Sequence, residues 1–247
     1  ESLKIYFQLT PAETGWAVSN VVIGCVAGAF CAGGVAARWG RKKALMLAAV
    51  LFTVSAVGAS LAHTFTGFVI FRIIGGVAVG LAATVSPMYM SEVSPKDMRG
   101  RALSMQQFAI VFGQILIFYV NYKIASIATE QWLVDMGWRW MFASGVLPCV
   151  LFCILVLFIP ESPRWCAMTG RDEQALTLLS RLSNPTHAAH VLAEIKESLR
   201  QDAQQHSARL SLRDGNVRFI LFVGAMIAVL QQVTGVNVMM YYAPVVL

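Results

Sequence analysis

Two apolar runs meet at a short basic turn that reads Gly33-Gly34-Val35-Ala36-Ala37-Arg38-Trp39-Gly40-Arg41-Lys42-Lys43. The run before it covers residues 16–37 and the run after it covers residues 44–62, and neither contains a charged side chain. About 20 apolar residues are enough for a helix to cross a bilayer. The turn therefore predicts two membrane helices joined tightly at one face, with a charge cluster that fixes their orientation.

Apolar runs of this length recur along the whole chain. Six are predicted to span a membrane, at about 16–37, 44–62, 66–91, 101–122, 140–159 and 217–247. Only 13% of residues are charged, whereas soluble domains carry about 25%. This composition excludes an ordinary soluble domain and predicts an all-α membrane protein whose first partner is the lipid bilayer.

The basic residues lie in alternate connections. They cluster after the first run, around 96–101 after the third, and between 164 and 218 after the fifth. Cytoplasmic loops of membrane proteins carry such an excess of Lys and Arg. The net charge of +6 is thus explained by topology and not by a nucleic-acid partner. We expect a multi-pass protein of the plasma membrane, in a bacterium the inner membrane.

Enzymatic and metal chemistry find little support. No nucleophile–base constellation appears in the apolar runs, so the chain is not expected to be an enzyme. His187 and His190 lie three residues apart without further ligands nearby, so no metal site is expected. The five cysteines lie in or at the ends of apolar runs, where packing is their expected role: Cys25, Cys31, Cys149, Cys153 and Cys166.

Residues 164–216 differ from the rest because charge and glutamine rise and apolar residues return at helical spacing. We expect a cytoplasmic linker of short amphipathic helices there. The chain begins with polar residues and ends at Leu247 inside an apolar run, so we expect it to be a piece of a longer protein. The pairs Gly24/Gly28 and Gly76/Gly80 predict helices whose backbones approach closely.

Several polar side chains lie inside the apolar runs. Arg72 is about six residues into the third run, roughly 9 Å deep, and needs a partner that is backbone, water or another part of the protein. Gln107 and Gln114 are seven residues apart, which places them on one helix face within about 20°, whereas Gln106 points about 100° away. Two such amides serve either as hydrogen-bonding glue between helices or as a ligand surface.

A second amide cluster reads Gln231-Gln232-Val233-Thr234-Gly235-Val236-Asn237. Amides in hydrocarbon are costly unless they are hydrogen-bonded. A straight helix cannot aim Gln231, Gln232 and Asn237 at one ligand. We therefore predict that the helix kinks or unwinds near Gly235, which would assemble the amides and act as a hinge.

Carboxylates and guanidinium groups alternate at the predicted cytoplasmic surface. Glu92 precedes Arg99, Glu161 precedes Arg164, and the basic turn supplies Arg38 and Arg41. Since exposed ion pairs contribute little stability, we interpret these residues as a candidate gate that holds one packing of the helices and breaks in another.

Taken in order, the motifs resemble those of the sugar porter family of the major facilitator superfamily, particularly bacterial proton–xylose and proton–sugar symporters. They are Gly34…Arg38-x-Gly40-Arg41-Lys42, Arg72-x3-Gly76-x3-Gly80, Pro87-x-Tyr89-x2-Glu92…Arg99-Gly100, Pro160-Glu161-Ser162-Pro163-Arg164 and Gln231-Gln232-x-Thr234-Gly235-Val236-Asn237. The resemblance implies a twelve-helix fold in two halves, with the sugar near the midplane between them. Residues 1–163 would hold the second to sixth helices, 164–216 the cytoplasmic linker and 217–247 the seventh helix. The first helix and the last five would be missing.

The resemblance also implies roles for individual residues. Sugar-binding amides would be Gln107, Gln114, Gln231, Gln232 and Asn237, with Tyr241 as a pocket wall. Arg72 would partner an aspartate of the missing first helix that carries the proton. The gate would comprise Arg38, Arg41, Glu92, Arg99, Glu161 and Arg164. One departure is Ala37, which stands where the family usually has an acidic residue before its first arginine.

These expectations amount to transport of a monosaccharide, a pentose or a hexose, by alternating access. The proton is the coupling ion, and no other cofactor is expected. Alternatives are a facilitative uniporter, a sugar sensor of the same fold, and a membrane scaffold whose amides serve only packing. The remaining helices of the full-length transporter would be obligate partners.

Overall fold

The computed structural model describes residues 2–95, 98–127, 129–182, 185–207 and 215–233, and within these ranges every regular element is helical. The chain forms two compact units, residues 1–192 and residues 193–247. Each unit is described by itself. The all-α prediction is confirmed.

The helices follow one another with short connections. They are α1 (Ser2–Tyr6), α2 (Pro11–Trp39), α3 (Arg41–Leu61), α4 (Phe65–Val93), α5 (Arg99–Ile127), α6 (Glu130–Trp132), α7 (Trp138–Ser144), α8 (Val146–Phe158), α9 (Pro163–Met168), α10 (Asp172–Leu182), α11 (Pro185–Ser207) and α12 (Gly215–Val233), with a π-helical segment, Leu133–Gly137, between α6 and α7.

Five helical stretches in the described residues are long and apolar enough to cross a membrane: α2, α3, α4, α5 and Leu133–Phe158. They confirm the first five predicted runs. The sixth predicted run begins within α12, and its residues beyond Val233 lie outside the described part of the chain. The fifth stretch begins seven residues earlier than the predicted 140, because the π-helical segment leads directly into α7.

The start of α2 at Pro11 also precedes the predicted residue 16. Thr10 and Glu13 form a capping box: the Thr10 hydroxyl accepts the Glu13 N–H at 3.3 Å, and the Glu13 carboxylate accepts the Thr10 N–H at 2.8 Å. These bonds satisfy donors that the first helical turn would otherwise leave unpaired. A polar cap therefore extends the helix beyond its apolar run.

Close backbone contact places α4 between α2 and α3. A Cβ at Gly24 would meet the carbonyl oxygen of Ile73, and one at Gly80 would meet that of Cys25. The glycines at 28 and 76 meet backbone atoms of the opposite helix in the same way. The close approach predicted from the glycine pairs is thus confirmed, and α2 and α4 run parallel. On the other side the Ser55 hydroxyl donates to the Phe71 carbonyl at 2.7 Å.

Two apolar cores lie at opposite ends of this bundle. We call the end that carries the basic turn after α2 the inner end, and the opposite end the outer end. Near the inner end, Leu45, Leu81, Val85 and Val156 are buried together. Near the outer end, Phe68 and Trp138 are the largest buried side chains of a second cluster. No described residue of α5 is buried, so this helix presents most of its surface outward.

Candidate functional site

The inner end is built around one buried ion pair. The Arg41 guanidinium donates from Nε to Glu92 Oε2 at 2.9 Å and from Nη2 to Glu92 Oε1 at 2.7 Å, so the pair is bidentate. Both side chains are less than a tenth exposed. A third bond runs from Arg41 Nη1 to the Ala36 carbonyl at 3.2 Å. The ion pair joins the start of α3 to the end of α4 and differs from an exposed pair because water is largely excluded.

Glu161 occupies the N-terminus of α3. Its Oε1 atom accepts the backbone N–H groups of Arg41 at 2.9 Å and Lys42 at 3.0 Å. A carboxylate is stabilised there by unpaired N–H groups and by the helix dipole. Gly40 makes room for it, because its φ is +95° and a Cβ on this residue would collide with the Glu161 carboxylate.

Three residues that were not among the predicted gate residues form further hydrogen bonds around this ion pair. The fully buried Ser162 donates its hydroxyl to Glu92 Oε2 at 2.5 Å and accepts the Trp165 N–H at 3.3 Å. Trp165 Nε1 donates to the Ala37 carbonyl at 2.9 Å, and Lys42 Nζ donates to the Leu157 carbonyl at 2.7 Å. Side chains of the turn at 37–42 and of the segment 157–165 therefore form hydrogen bonds with the free backbone N–H and C=O groups at each other's helix ends.

We call this arrangement the inner latch: Arg41, Lys42, Glu92, Glu161, Ser162 and Trp165. The sequence contained one usable signal for Ser162, because a Ser before Pro163 at a helix start is a typical N-cap. Nothing in the sequence indicated that Trp165 reaches Ala37, a residue 128 positions away.

Two of the other predicted gate residues lie apart from these bonds. Arg38 and Arg99 are exposed, and among the described residues neither has a hydrogen bond or ion pair to the inner latch. Arg164 is half-buried in the first turn of α9. The structure thus brings Arg41, Glu92 and Glu161 together.

Arg72 lines a cleft of about 490 Å³ within the helical bundle. It lies seven residues into α4, and its guanidinium is 5.7 Å from the ring centroid of Phe142. Helices α2, α3, α4, α5, α7 and α8 contribute walls, and most lining residues are apolar. A cleft that is mainly apolar with a few polar groups is the usual form of a small-molecule site.

The amides of α5 differ in their surroundings. Gln107 is exposed, whereas Gln114 and Gln106 are half-buried. Asn121, which the sequence reading missed, lines the Arg72 cleft, and its Oδ1 atom is buried without a hydrogen-bond partner among the described residues. The signal for it was present, since Asn121 follows Gln114 by the same seven-residue step that separates Gln114 from Gln107.

The second amide cluster is described only in part. Gln231 and Gln232 lie in the last turn of α12. Asn237, Tyr241 and the predicted hinge at Gly235 lie outside the described residues. As to metals, no three His, Cys, Asp or Glu side chains of the described residues come close enough together to hold an ion.

Comparison with known proteins places this geometry in a family. The profile of the family described as "Sugar (and other) transporter" matches residues 6–247. The D-xylose-proton symporter of Escherichia coli (strain K12) is 40% identical over 93% of this chain, and the arabinose-proton symporter of Bacillus subtilis (strain 168) is 36% identical over 98%. The chain spans about half the length of these relatives, 50% and 52%.

Solved structures agree. The proton:xylose symporter XylE bound to 6-bromo-6-deoxy-D-glucose superposes with a TM-score of 0.91 at 38% identity, over 99% of this chain and 56% of that one. The inward-open xylose transporter XylE from E. coli superposes with a TM-score of 0.83. Both similarities extend over nearly the whole chain. This integral membrane protein therefore belongs to the sugar transporter family of the major facilitator superfamily, whose fold its helices share.

Proposed function

We propose that the full-length protein moves a monosaccharide across the membrane by alternating access and couples this movement to proton symport. The observation that carries the proposal is the cleft in which Arg72, at membrane depth, lies beside the helix that bears the amides. The relatives named above are symporters of protons with xylose or arabinose, which supports this assignment. They are named as transporters and not as enzymes.

The amides suit a neutral sugar for a chemical reason. Each sugar hydroxyl both donates and accepts, and a primary amide offers both functions in one planar group. Net hydrogen bonds of about 0.5–1.5 kcal/mol each, made a few at a time, give affinities that still allow release. Gln107, Gln114, Gln231, Gln232 and Asn237 are the proposed binding amides, and Tyr241 is the proposed pocket wall.

Arg72 is the proposed coupling residue. A permanent positive charge in a mostly apolar cleft stabilises a carboxylate and so lowers the affinity of that carboxylate for protons. A proton-carrying acid that meets Arg72 in only one state of the transport cycle would bind and release its proton in step with that cycle. The acid that we propose is the first-helix aspartate that the family resemblance implies.

We further propose that the inner latch is the cytoplasmic gate. The backbone N–H and C=O groups at its helix ends are hydrogen-bonded within the inner latch. Water would replace these partners once the inner end of the bundle opens. Gly235 remains the proposed hinge of the seventh helix. In the proposed domain plan, residues 1–163 belong to the N-terminal half, 164–216 to the linker and 217–247 to the seventh helix.

The sugar site is tested by uptake of labelled monosaccharides in cells that express the full-length protein. We expect Gln107→Ala and Gln114→Ala each to raise the half-saturation concentration by about two- to tenfold, the value of one hydrogen bond. Gln106→Ala is the matched control, because its side chain points away from that face. Unchanged uptake in both variants, with normal expression, would refute a sugar site on α5.

Coupling is tested separately with Arg72→Ala. Accumulation against a gradient should be lost, whereas exchange of sugar across the membrane at equilibrium should continue. Normal accumulation by this variant would contradict the coupling role of Arg72. If the wild-type protein equilibrates its sugar but never accumulates it, the uniporter is the correct reading.

A further inference from the structure

The Oδ1 atom of Asn121 is a buried hydrogen-bond acceptor without a partner among the described residues. Leaving such a group unsatisfied costs about 1–3 kcal/mol. Buried polar groups without a hydrogen-bond partner are uncommon in native proteins, and each calls for an explanation such as contact with a ligand. The Asn121 side chain lines the Arg72 cleft, so rotation about its terminal torsion would turn this oxygen towards a ligand in the cleft.

The position of Asn121 relates it to the proposed sugar amides. Steps of seven residues separate Gln107, Gln114 and Asn121, and each step returns the helix to within about 20° of the same direction. The three amides therefore form one stripe along α5. By the same geometry Asn121 lies roughly 10 Å nearer the outer end than Gln114.

The chemistry of the cleft selects a neutral, hydroxyl-bearing ligand. Arg72 offers N–H donors and a positive charge, so a cation is disfavoured. The Asn121 oxygen accepts hydrogen bonds, so a ligand that contacts both residues must offer a donor as well as an acceptor. A hydroxyl group, which donates and accepts at once, satisfies both. The volume of about 490 Å³ and the mostly apolar walls, among them Phe52 and Phe142, fall within the range of small-molecule pockets.

We infer that Asn121 is a further sugar-contacting residue, whose Oδ1 atom accepts a hydrogen bond from one hydroxyl of the monosaccharide on the outer side of the Gln114 position. This inference rests on the proposed function and names one more residue of the same sugar path. Asn121 would help to select the sugar, because an analogue that lacks the contacting hydroxyl would leave the oxygen unsatisfied.

The experiment pairs Asn121→Leu with a set of monodeoxy analogues of the transported sugar, using the full-length protein. For each analogue, the half-saturation concentration is compared between the variant and the wild type. We expect Asn121→Leu to raise the half-saturation concentration for the parent sugar by about two- to tenfold. For one analogue, and only one, the half-saturation concentration should then be the same in both proteins, because that analogue lacks the hydroxyl that Asn121 contacts. Tyr122→Leu, which alters the exposed neighbour on another face, is the control and should show no such analogue.

Thermal unfolding of the purified proteins separates this role from packing. Replacing an unsatisfied acceptor with an apolar side chain should leave the melting temperature of Asn121→Leu equal to or above that of the wild type. The inference is overturned if the loss of each hydroxyl raises the half-saturation concentration by the same factor in the variant as in the wild type. It is also overturned if the variant melts at a lower temperature. If the Asn121 test fails while Gln107→Ala and Gln114→Ala still raise the half-saturation concentration, only this inference is wrong. If those two variants have no effect, the proposed function is wrong.

Discussion

The inner and outer ends of the bundle are held together by different forces. At the inner end, the contacts are directional bonds between charged groups and helix ends, centred on Arg41, Glu92 and Glu161. At the outer end, Trp138 is buried among aromatic rings, with Phe68 and Tyr6 at 6.2 and 5.4 Å between ring centroids. Bonds to helix ends exchange readily with water, whereas buried aromatic surface has no such substitute. The difference predicts that the contacts of the inner end break at a lower cost than the aromatic contacts around α1.

Arg139 strengthens this contrast. Its guanidinium lies over the rings of Trp138 at 4.8 Å and Tyr6 at 5.4 Å, and it donates to the Tyr6 hydroxyl at 3.0 Å. Even the charged group of the outer cluster therefore acts by stacking on aromatic faces. At the inner latch, in contrast, Arg41 acts through a bidentate ion pair.

The largest expected effect is at the outer end. Trp138→Ala should lower the free energy of unfolding by about 3–5 kcal/mol, because it removes a large side chain that is 3% exposed. Trp140→Ala, at a side chain that is 57% exposed, is the control and should change stability little. Chemical or thermal unfolding in detergent measures both. Equal melting temperatures for the two variants would contradict the assignment of Trp138 to a core.

The next largest effect tests the inner latch. Glu92→Gln leaves the Arg41 charge buried without its counter-ion, which should cost about 3 kcal/mol and favour an open inner end. Cys166, which is 2% exposed and follows Trp165, should then react faster with a maleimide. Cys166→Ser in the same background controls for the other cysteines.

The double variant Glu92→Gln with Arg41→Gln sharpens this test. Removing both charges should recover part of the lost stability, since the cost of an unpaired buried charge disappears. If the double variant is as unstable as the sum of both single variants, the ion pair does not act as a unit.

A smaller effect comes from two glycines near the same turn. Gly40→Ala should cost about 1–3 kcal/mol, because φ at this residue is +95° and a Cβ would displace the Glu161 carboxylate. Gly33→Ala, in α2 with no atom near the new Cβ, should instead stabilise the protein by about 0.5–1 kcal/mol. Thermal unfolding of both variants measures the difference, and effects of the same sign would contradict it.

The smallest expected effect is a pH dependence at the linker. Burial raises the pKa of the Cys166 thiol, Glu161 adds to the rise, and Arg171 opposes it. The folded-state pKa therefore lies above the unfolded value, so this contribution to stability is complete below the unfolded pKa and is lost as the pH rises through the folded pKa. Wild-type protein should lose stability more steeply above about pH 9 than Cys166→Ser does, as measured by melting temperature against pH. Identical slopes would exclude this role of Cys166.

Much of the fold could be predicted because it depends on local pattern. Runs of apolar residues located five spans, and the alternating basic connections predict their orientation. The glycines at 24, 28, 76 and 80 indicated close helix contact, which the structure places between α2 and α4. The ends of helices were predicted less well. Caps such as Thr10 with Glu13 and the π-helical segment at Leu133–Gly137 extend helices past their apolar runs.

Counting residues along a helix was enough to predict the depth and the helix face of the polar groups. Arg72, Gln107 and Gln114 were found in this way. Which of the polar groups meet became visible once the helices were packed against one another. Glu161 caps α3 across 120 residues of chain, and Ser162 joins Glu92 across 70. Contacts of that kind depend on how whole helices pack in three dimensions, and no local spacing encodes them. The same holds for Asn121, whose spacing was visible in the sequence but whose unsatisfied oxygen in the Arg72 cleft was not.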